Sequence, residues 1–252
     1  MRFQAKLWDP VSLALFDRLR VRPGMKVLEI GPGQGSLHLE LRRRVKGPID
    51  AVERSAPFAA RLRALCARDG RGAGTIWETD LIDAPLPRGK YDLIFARWVF
   101  LFLPEPEKHL RKLARALKPG GRIAIQDYHR ESMALYPCPP DWAALMAADQ
   151  AFFKTQGGDA SIGGRLPSLY RRAGLVPESA NAALKTGFPG SATWIWASWY
   201  FLDVMPRLGK LKPFSPAAAR RTSAAWRAAA RRPESLFVAP AVIDAVARKP
   251  RR

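Results

Sequence analysis

The chain has 252 residues, 48% apolar and 25% charged, which is the balance of a globular protein able to bury a sizeable core and not of a disordered one. No run of about 18 apolar residues is present, which excludes a membrane-spanning helix. Forty-two basic against 22 acidic residues give a net charge of +20, a fact about partners and solubility more than about fold. Cys66 and Cys138 are too few for a disulfide framework and lack metal-ligand spacing. The opening MRFQAKLWDPVSLALF has no apolar leader core, so a reducing cytoplasm is the expected compartment.

The first 120 or so residues alternate short apolar runs with amphipathic stretches, the pattern of βα units around a parallel sheet. Asp9-Pro10 predicts a helix start, with VSLALFDRL behind it. After the Pro23-Gly24 break, Lys26–Ile30 reads as a buried strand and Ser36–Val45 as a helix. Ile49–Glu53 is a second strand, Pro57–Ala67 a second helix, GTIWE around Ile76 a third strand and Tyr91–Ala96 a fourth. A helix over Glu107–Leu117 stops at Lys118-Pro119-Gly120-Gly121, a tight turn before the fifth strand, Arg122–Tyr128.

Residues 131–173 read as mostly helical, interrupted by GGDASIGG as a loop. Strand-like segments at Leu175–Thr186 and Ser235–Val246 bracket a helical pair that holds Trp194, Trp196, Trp199, Tyr200 and Trp226. One α/β domain is expected, because the last strand needs the first sheet to pair with. Its parts are an N-terminal helical segment (1–22), a ligand-binding core (23–128), helical insertions forming a cap (129–174 and 190–233), and a last strand with a basic tail (234–252).

The strongest local signal is VLEIGPGQG, Val27–Gly35: a buried strand runs into Gly31, Gly33 and Gly35 and then directly into a helix. Glycines there permit positive φ and close approach of backbone to a ligand, and the helix N-terminus offers free N–H groups. Eighteen residues after Gly35, Glu53 ends the second strand, where a carboxylate can accept hydrogen bonds from both hydroxyls of a ribose. A dinucleotide fingerprint would place its last glycine where Ser36 stands; the spacing here is GxGxG, with Glu29 two residues ahead of it.

In these residues the chain resembles the class I S-adenosylmethionine-dependent methyltransferases, whose first motif is an acidic residue followed by x-Gly-x-Gly-x-Gly. The resemblance runs in register across residues 25–128. It implies a Rossmann-like, mostly parallel seven-stranded sheet with helices on both faces, with helical insertions after strand 5 and before the last strand. It implies S-adenosyl-L-methionine as cofactor, with Glu29, Gly31, Gly33, Gly35 and Glu53 around it, Asp80 and Leu81 beside adenine, and Ala96 and Arg97 beside the methionine part. GGRLPSLYRRAGL and SLFVAPAVIDAVARKP also resemble the family's tail. Where the family often carries histidine, this chain has Phe102, so no acid–base role transfers there.

A sulfonium methyl needs alignment and exclusion of water more than activation. Tyr128 and His129, at the end of the fifth strand where open α/β sheets bind ligands, are the candidates should a base be needed. An apolar or aromatic acceptor pocket is expected from some of Trp142, Phe152, Phe153, Trp194, Trp199 and Tyr200. The expected reaction is methyl transfer to a small metabolite at O, N or C, resting mainly on proximity and desolvation, with no metal. The alternative is an RNA-modifying enzyme or polyanion binder, motivated by the +20 charge and by arginine runs at 42–44, 171–172, 220–221 and 231–232. Against it, amino-group nucleic-acid methylases carry Asn/Asp-[Pro/Leu/Ile]-Pro-[Tyr/Phe] where this chain has Ala96-Arg97-Trp98-Val99. A non-catalytic cofactor binder is a third reading.

Overall fold

The computed structural model describes residues 2–251, and side chains from residue 4 onward. In chain order the elements begin α1 (Arg2–Arg18), β1 (Val27–Ile30), α2 (Ser36–Val45), β2 (Asp50–Val52), α3 (Ala56–Asp69), β3 (Ile76–Trp77), β4 (Tyr91–Arg97), α4 (Pro106–Ala116) and β5 (Leu117–His129). They continue with β6 (Ala134–Tyr136), α5 (Trp142–Lys154), α6 (Ile162–Arg172), β7 (Val176–Ala183), β8 (Thr186–Gly187), α7 (Ala192–Leu208), α8 (Pro216–Ala229), β9 (Leu236–Val238) and β10 (Ala241–Arg248).

Seven strands form the central sheet in the order β3-β2-β1-β4-β5-β10-β7. The first five are mutually parallel, and β10 runs antiparallel to both β5 and β7. The order reverses at β1 and β4, which places a crevice at their C-terminal ends. Successive side chains of a strand point to opposite faces. Leu28, Ile30, Ile94 and Ile125 accordingly feed one core cluster, and Val27, Leu93, Phe95 and Ala124 feed another. Leu37, Leu41 and Val45 of α2 close the second. Both faces are thus covered, as a parallel sheet requires.

Four local expectations are corrected. Asp9-Pro10 does not start a helix: Pro10 lies inside α1. Leu7, Trp8, Val11, Leu15 and Phe16 recur at helical spacing across it and pack on the two cores, so burial overrides the lost backbone bond. The stretch Lys118–Gly121 is not a free turn but the irregular beginning of β5, with Tyr91 paired to Leu117 and Leu93 to Arg122. A side chain at Gly121 would meet the Tyr91 carbonyl at 2.7 Å, which is why glycine stands there. Of GGDASIGG, only the part before Ile162 is loop; the rest opens α6. Finally, β6, β9 and β8 form a second, three-stranded sheet beside the insertions, whose two- and three-residue strands are too short to show a period of two.

Candidate active site

The turn after β1 holds Gly31, Gly33 and Gly35 at φ of +63°, +53° and +82°, a region only glycine enters without strain. Each answers to a different neighbour. A Cβ at Gly31 would strike Val99 at 2.6 Å, and one at Gly35 would press on Leu62 and Leu65 at about 3.0 Å, whereas one at Gly33 would meet nothing within 4 Å. Gly33 therefore presents bare backbone to open space.

Glu53 anchors that backbone. Its buried carboxylate accepts from the Gly33 N–H at 3.1 Å and from the Ser55 N–H at 2.9 Å. Glu29, also buried, accepts from Nδ1 of the fully buried His38 at 3.0 Å. Burial works against charge on His38, but the Cys66 and Glu29 side chains outweigh it and push its pKa up to about 9. His38 is thus a support beneath the turn. The Asp80 carboxylate accepts from the Ile82 N–H at 3.1 Å, a local Asx-type turn.

These groups open on one cavity of about 580 Å³, a volume typical of small-ligand sites. Glu29, Gly31, Gly33, Glu53, Asp80 and Leu81 line one part of it, together with Phe58 and Thr79. Arg97, Trp98, Tyr128, Arg130, Phe153, Trp196 and Tyr200 line another, roofed by Leu101, Phe102 and Leu103 and walled by Gln4 and Ala5 of α1.

In that second part the side chains lock one another. Trp98 and Tyr128 stack at 5.4 Å, and Trp8 meets Trp98, Tyr128 and Trp196 edge-on at 5.9–6.4 Å. Arg97 reaches α1, donating to Asp9 at 2.8 Å and to the Ser12 hydroxyl at 3.0 Å, with its guanidinium 4.5 Å over Trp98. Arg130 and Asp149 form a buried two-point pair at 2.7 and 2.9 Å, and the Tyr200 hydroxyl donates to the same carboxylate at 2.7 Å. Burial drives the Tyr128 and Tyr200 pKa values upward, so both hydroxyls stay protonated. Burial likewise pushes Asp127 up to about 7, against the pull of the Tyr128, Leu101 and Phe100 N–H groups.

Several sequence candidates lie elsewhere. Gly35 and Ala96 do not line the cavity: Gly35 faces α3, and Ala96 is fully buried in the sheet's core. His129 is outside it too, with Nδ1 buried, unpartnered and set against Gly164. Asp127 does not orient that imidazole, because its carboxylate is taken by the N–H groups of Leu101 and Tyr128 at 3.1 and 2.9 Å. Trp142 and Trp194 are core, the first tilted against Phe201 and the second stacked on Trp226. Phe152 packs behind Phe153, and Trp199 is exposed. Only Phe153 and Tyr200 of the six pocket candidates reach the cavity. Sequence reasoning missed Trp98, Arg130 and the α1 wall; the helical spacing of Leu7, Trp8 and Val11 was the available signal for the last.

Comparison with known proteins places the chain in context. The family model described as a methyltransferase domain matches residues 28–125. Methyltransferase GfsG of Streptomyces halstedii is 33% identical over 129 residues, covering 49% of this chain and 45% of the relative. The 2-phytyl-1,4-naphtoquinone methyltransferase of Nostoc is 26% identical over 192 residues, covering 73% and 80%. The first curated relatives are matched over about half their length. Among solved structures, the Haemonchus contortus phosphoethanolamine N-methyltransferase 2, in complex with phosphomonomethylethanolamine and S-adenosylhomocysteine, superposes with a TM-score of 0.58 at 15% identity, over 96% of this chain and 53% of that one. That likeness is one of fold.

Proposed function

We propose that this chain, which belongs to the class I S-adenosylmethionine-dependent methyltransferases, moves a methyl group from that cofactor to a small aromatic or conjugated metabolite. The observation that carries the reading is the single cavity joining the glycine turn and Glu53 to the aromatic pocket under α7. The quinone methyltransferase among the relatives supports an aromatic acceptor.

The residues fit the cofactor. Gly33 offers bare backbone beside open space, its N–H already given to Glu53; Glu53 brings a buried carboxylate at the end of β2, and Asp80 with Leu81 a polar and apolar pair on the same cavity. Glu53 and Gly33 would hold the ribose side, Asp80 and Leu81 the base, and Glu29 and Arg97 the amino-acid side. When bound, the cofactor supplies an electrophilic methyl on a sulfonium. The chain's own contribution is to orient and to exclude water: Trp98 and Tyr128 are fixed by stacking, and Leu101 and Leu103 add apolar lining to the cavity. Of the two candidate bases, Tyr128 is held protonated and His129 lies outside the cavity. Proximity and desolvation therefore do most of the work.

The basic surface offers the RNA-modifying alternative little. In the 42–44 run Arg42 is fully buried, donating to Asp69 and to the Gly72 carbonyl, and Arg43 and Arg44 pair with Glu40 and Asp17. On α8, Arg220 and Arg227 are exposed opposite buried Trp226, an amphipathic surface helix. Calorimetry with S-adenosylhomocysteine tests the cofactor half directly: one-to-one binding is expected, and no binding refutes the proposal.

A further inference from the structure

We propose that Arg130, Tyr128 and Trp98 form the wall that selects the acceptor, holding a planar conjugated molecule by an sp² oxygen of full or partial negative charge and turning amines away. This rests on the methyltransferase reading and adds the polar group by which the acceptor is held.

Three observations converge. The first is shape: Trp98 and Tyr128 stack with planes 19° apart, and Trp196 stands 6.5 Å from Tyr128, so the pocket's walls are flat. The second is polarity. The Trp98 indole N–H and the Tyr128 hydroxyl are buried with no hydrogen-bond partner. Gln4 faces that hydroxyl, but no bond of ordinary length and angle joins them. Arg130 gives Nε and Nη2 to Asp149, which by the planarity of the guanidinium turns Nη1 to the opposite edge. The wall is thus rich in donors, while its carboxylate is already committed to Arg130 and Tyr200. A buried donor without an acceptor is costly, and a ligand oxygen relieves it.

The third observation excludes the obvious rival. A cage of tryptophans and tyrosines suits an ammonium ion, but here cations of the protein already face the rings. Arg97 lies 4.5 Å over Trp98, and Arg130 lies 4.5 Å from Tyr200 and 5.8 Å from Tyr128. An amine at this wall meets Arg97 and Arg130, and the Asp149 carboxylate beside it is already engaged. An oxygen acceptor meets donors.

The test uses the whole chain saturated with S-adenosylhomocysteine and two probes of equal ring size, 2-naphthoate and 2-(aminomethyl)naphthalene, titrated calorimetrically. Naphthoate is expected to bind at least about tenfold more tightly. Tyr128→Phe should weaken naphthoate about threefold or more while melting no lower than wild type, because the lost hydroxyl has no protein partner. The double variant Arg130→Met with Asp149→Leu removes the charged pair together, which cores tolerate better than removing one member, at the cost of the Tyr200 hydroxyl's acceptor. It should weaken naphthoate about tenfold or more and leave S-adenosylhomocysteine affinity unchanged. If the double variant does not fold, the probe ratio and Tyr128→Phe decide. Equal or tighter binding of the amine, unchanged naphthoate affinity in the variants, or no binding of either probe overturns the inference. Failure of wild type to bind S-adenosylhomocysteine, measured before any probe is added, overturns the underlying reading instead.

Discussion

Replacing Glu53 by glutamine keeps its size and removes its charge, and the geometry specifies the consequences. In the protein, one carboxylate oxygen accepts from Gly33 N–H at 3.1 Å and the other from Ser55 N–H at 2.9 Å. An amide has a single oxygen, so one N–H must face an NH₂ group and lose its acceptor. That costs about 1–3 kcal/mol of stability, the penalty for a buried donor left without its acceptor. Toward ligand there is a separate loss, because a charged acceptor for the ribose hydroxyls becomes a neutral one. At about 1.5–3 kcal/mol for hydrogen bonds to a charged group, S-adenosylhomocysteine should bind roughly 10- to 150-fold more weakly. Calorimetric titration reads the dissociation constant, and a thermal melt separates it from the stability loss. A constant within threefold of wild type, in a folded variant, refutes the ribose assignment.

Further outcomes follow from other positions. Gly33→Ala should cost about 1 kcal/mol in thermal stability, since φ is +53° although space is open, and should also weaken the cofactor; normal melting and binding would remove the turn from the site. His129→Asn should lower the single-turnover rate less than about tenfold at any pH from 6 to 9, whereas a general base would cost about 10²–10⁴-fold. Asp127, raised to about 7 from an ordinary 3.8, holds its proton more tightly folded than unfolded. Its contribution to stability is therefore present below about pH 4 and lost as pH climbs to about 7, by up to roughly 4 kcal/mol. Urea melts across that range should show a shallower fall for Asp127→Asn, and parallel curves would contradict the assignment. RNA should bind weakly and without sequence preference, its affinity falling steeply with salt; persistence at physiological salt with sequence preference would revive the alternative.

The regular half of the molecule was legible because its signals are local. Val27–Gly35 couples an apolar run, three glycines and a helix start within nine residues, and α2 spans the predicted Ser36–Val45. Glu53 was legible through its place at a strand end and Asp80 through the family resemblance alone, and both line the cavity. The acceptor end was not legible, because long-range packing decides it. Nothing in sequence separates Trp196, which faces the cavity, from Trp194, which stacks on Trp226 in the core. Arg130 carried no signal in the sequence, because Asp149, 19 residues later, and Tyr200 meet it only in the interior. Pro10 misled for the opposite reason: a strong local signal gave way to the burial of Trp8, Leu15 and Phe16 on the sheet.

The central claim is that one cavity serves a methyl donor and a small acceptor. Incubating the protein with methyl-labelled S-adenosylmethionine, together with the small-molecule and RNA fractions of the source cells, tests it most directly, with mass spectrometry of each fraction. The account predicts label in a low-molecular-weight aromatic or conjugated product, lost in Glu53→Gln, and none in RNA. Label in RNA, or none anywhere from a protein saturated with cofactor, would contradict it.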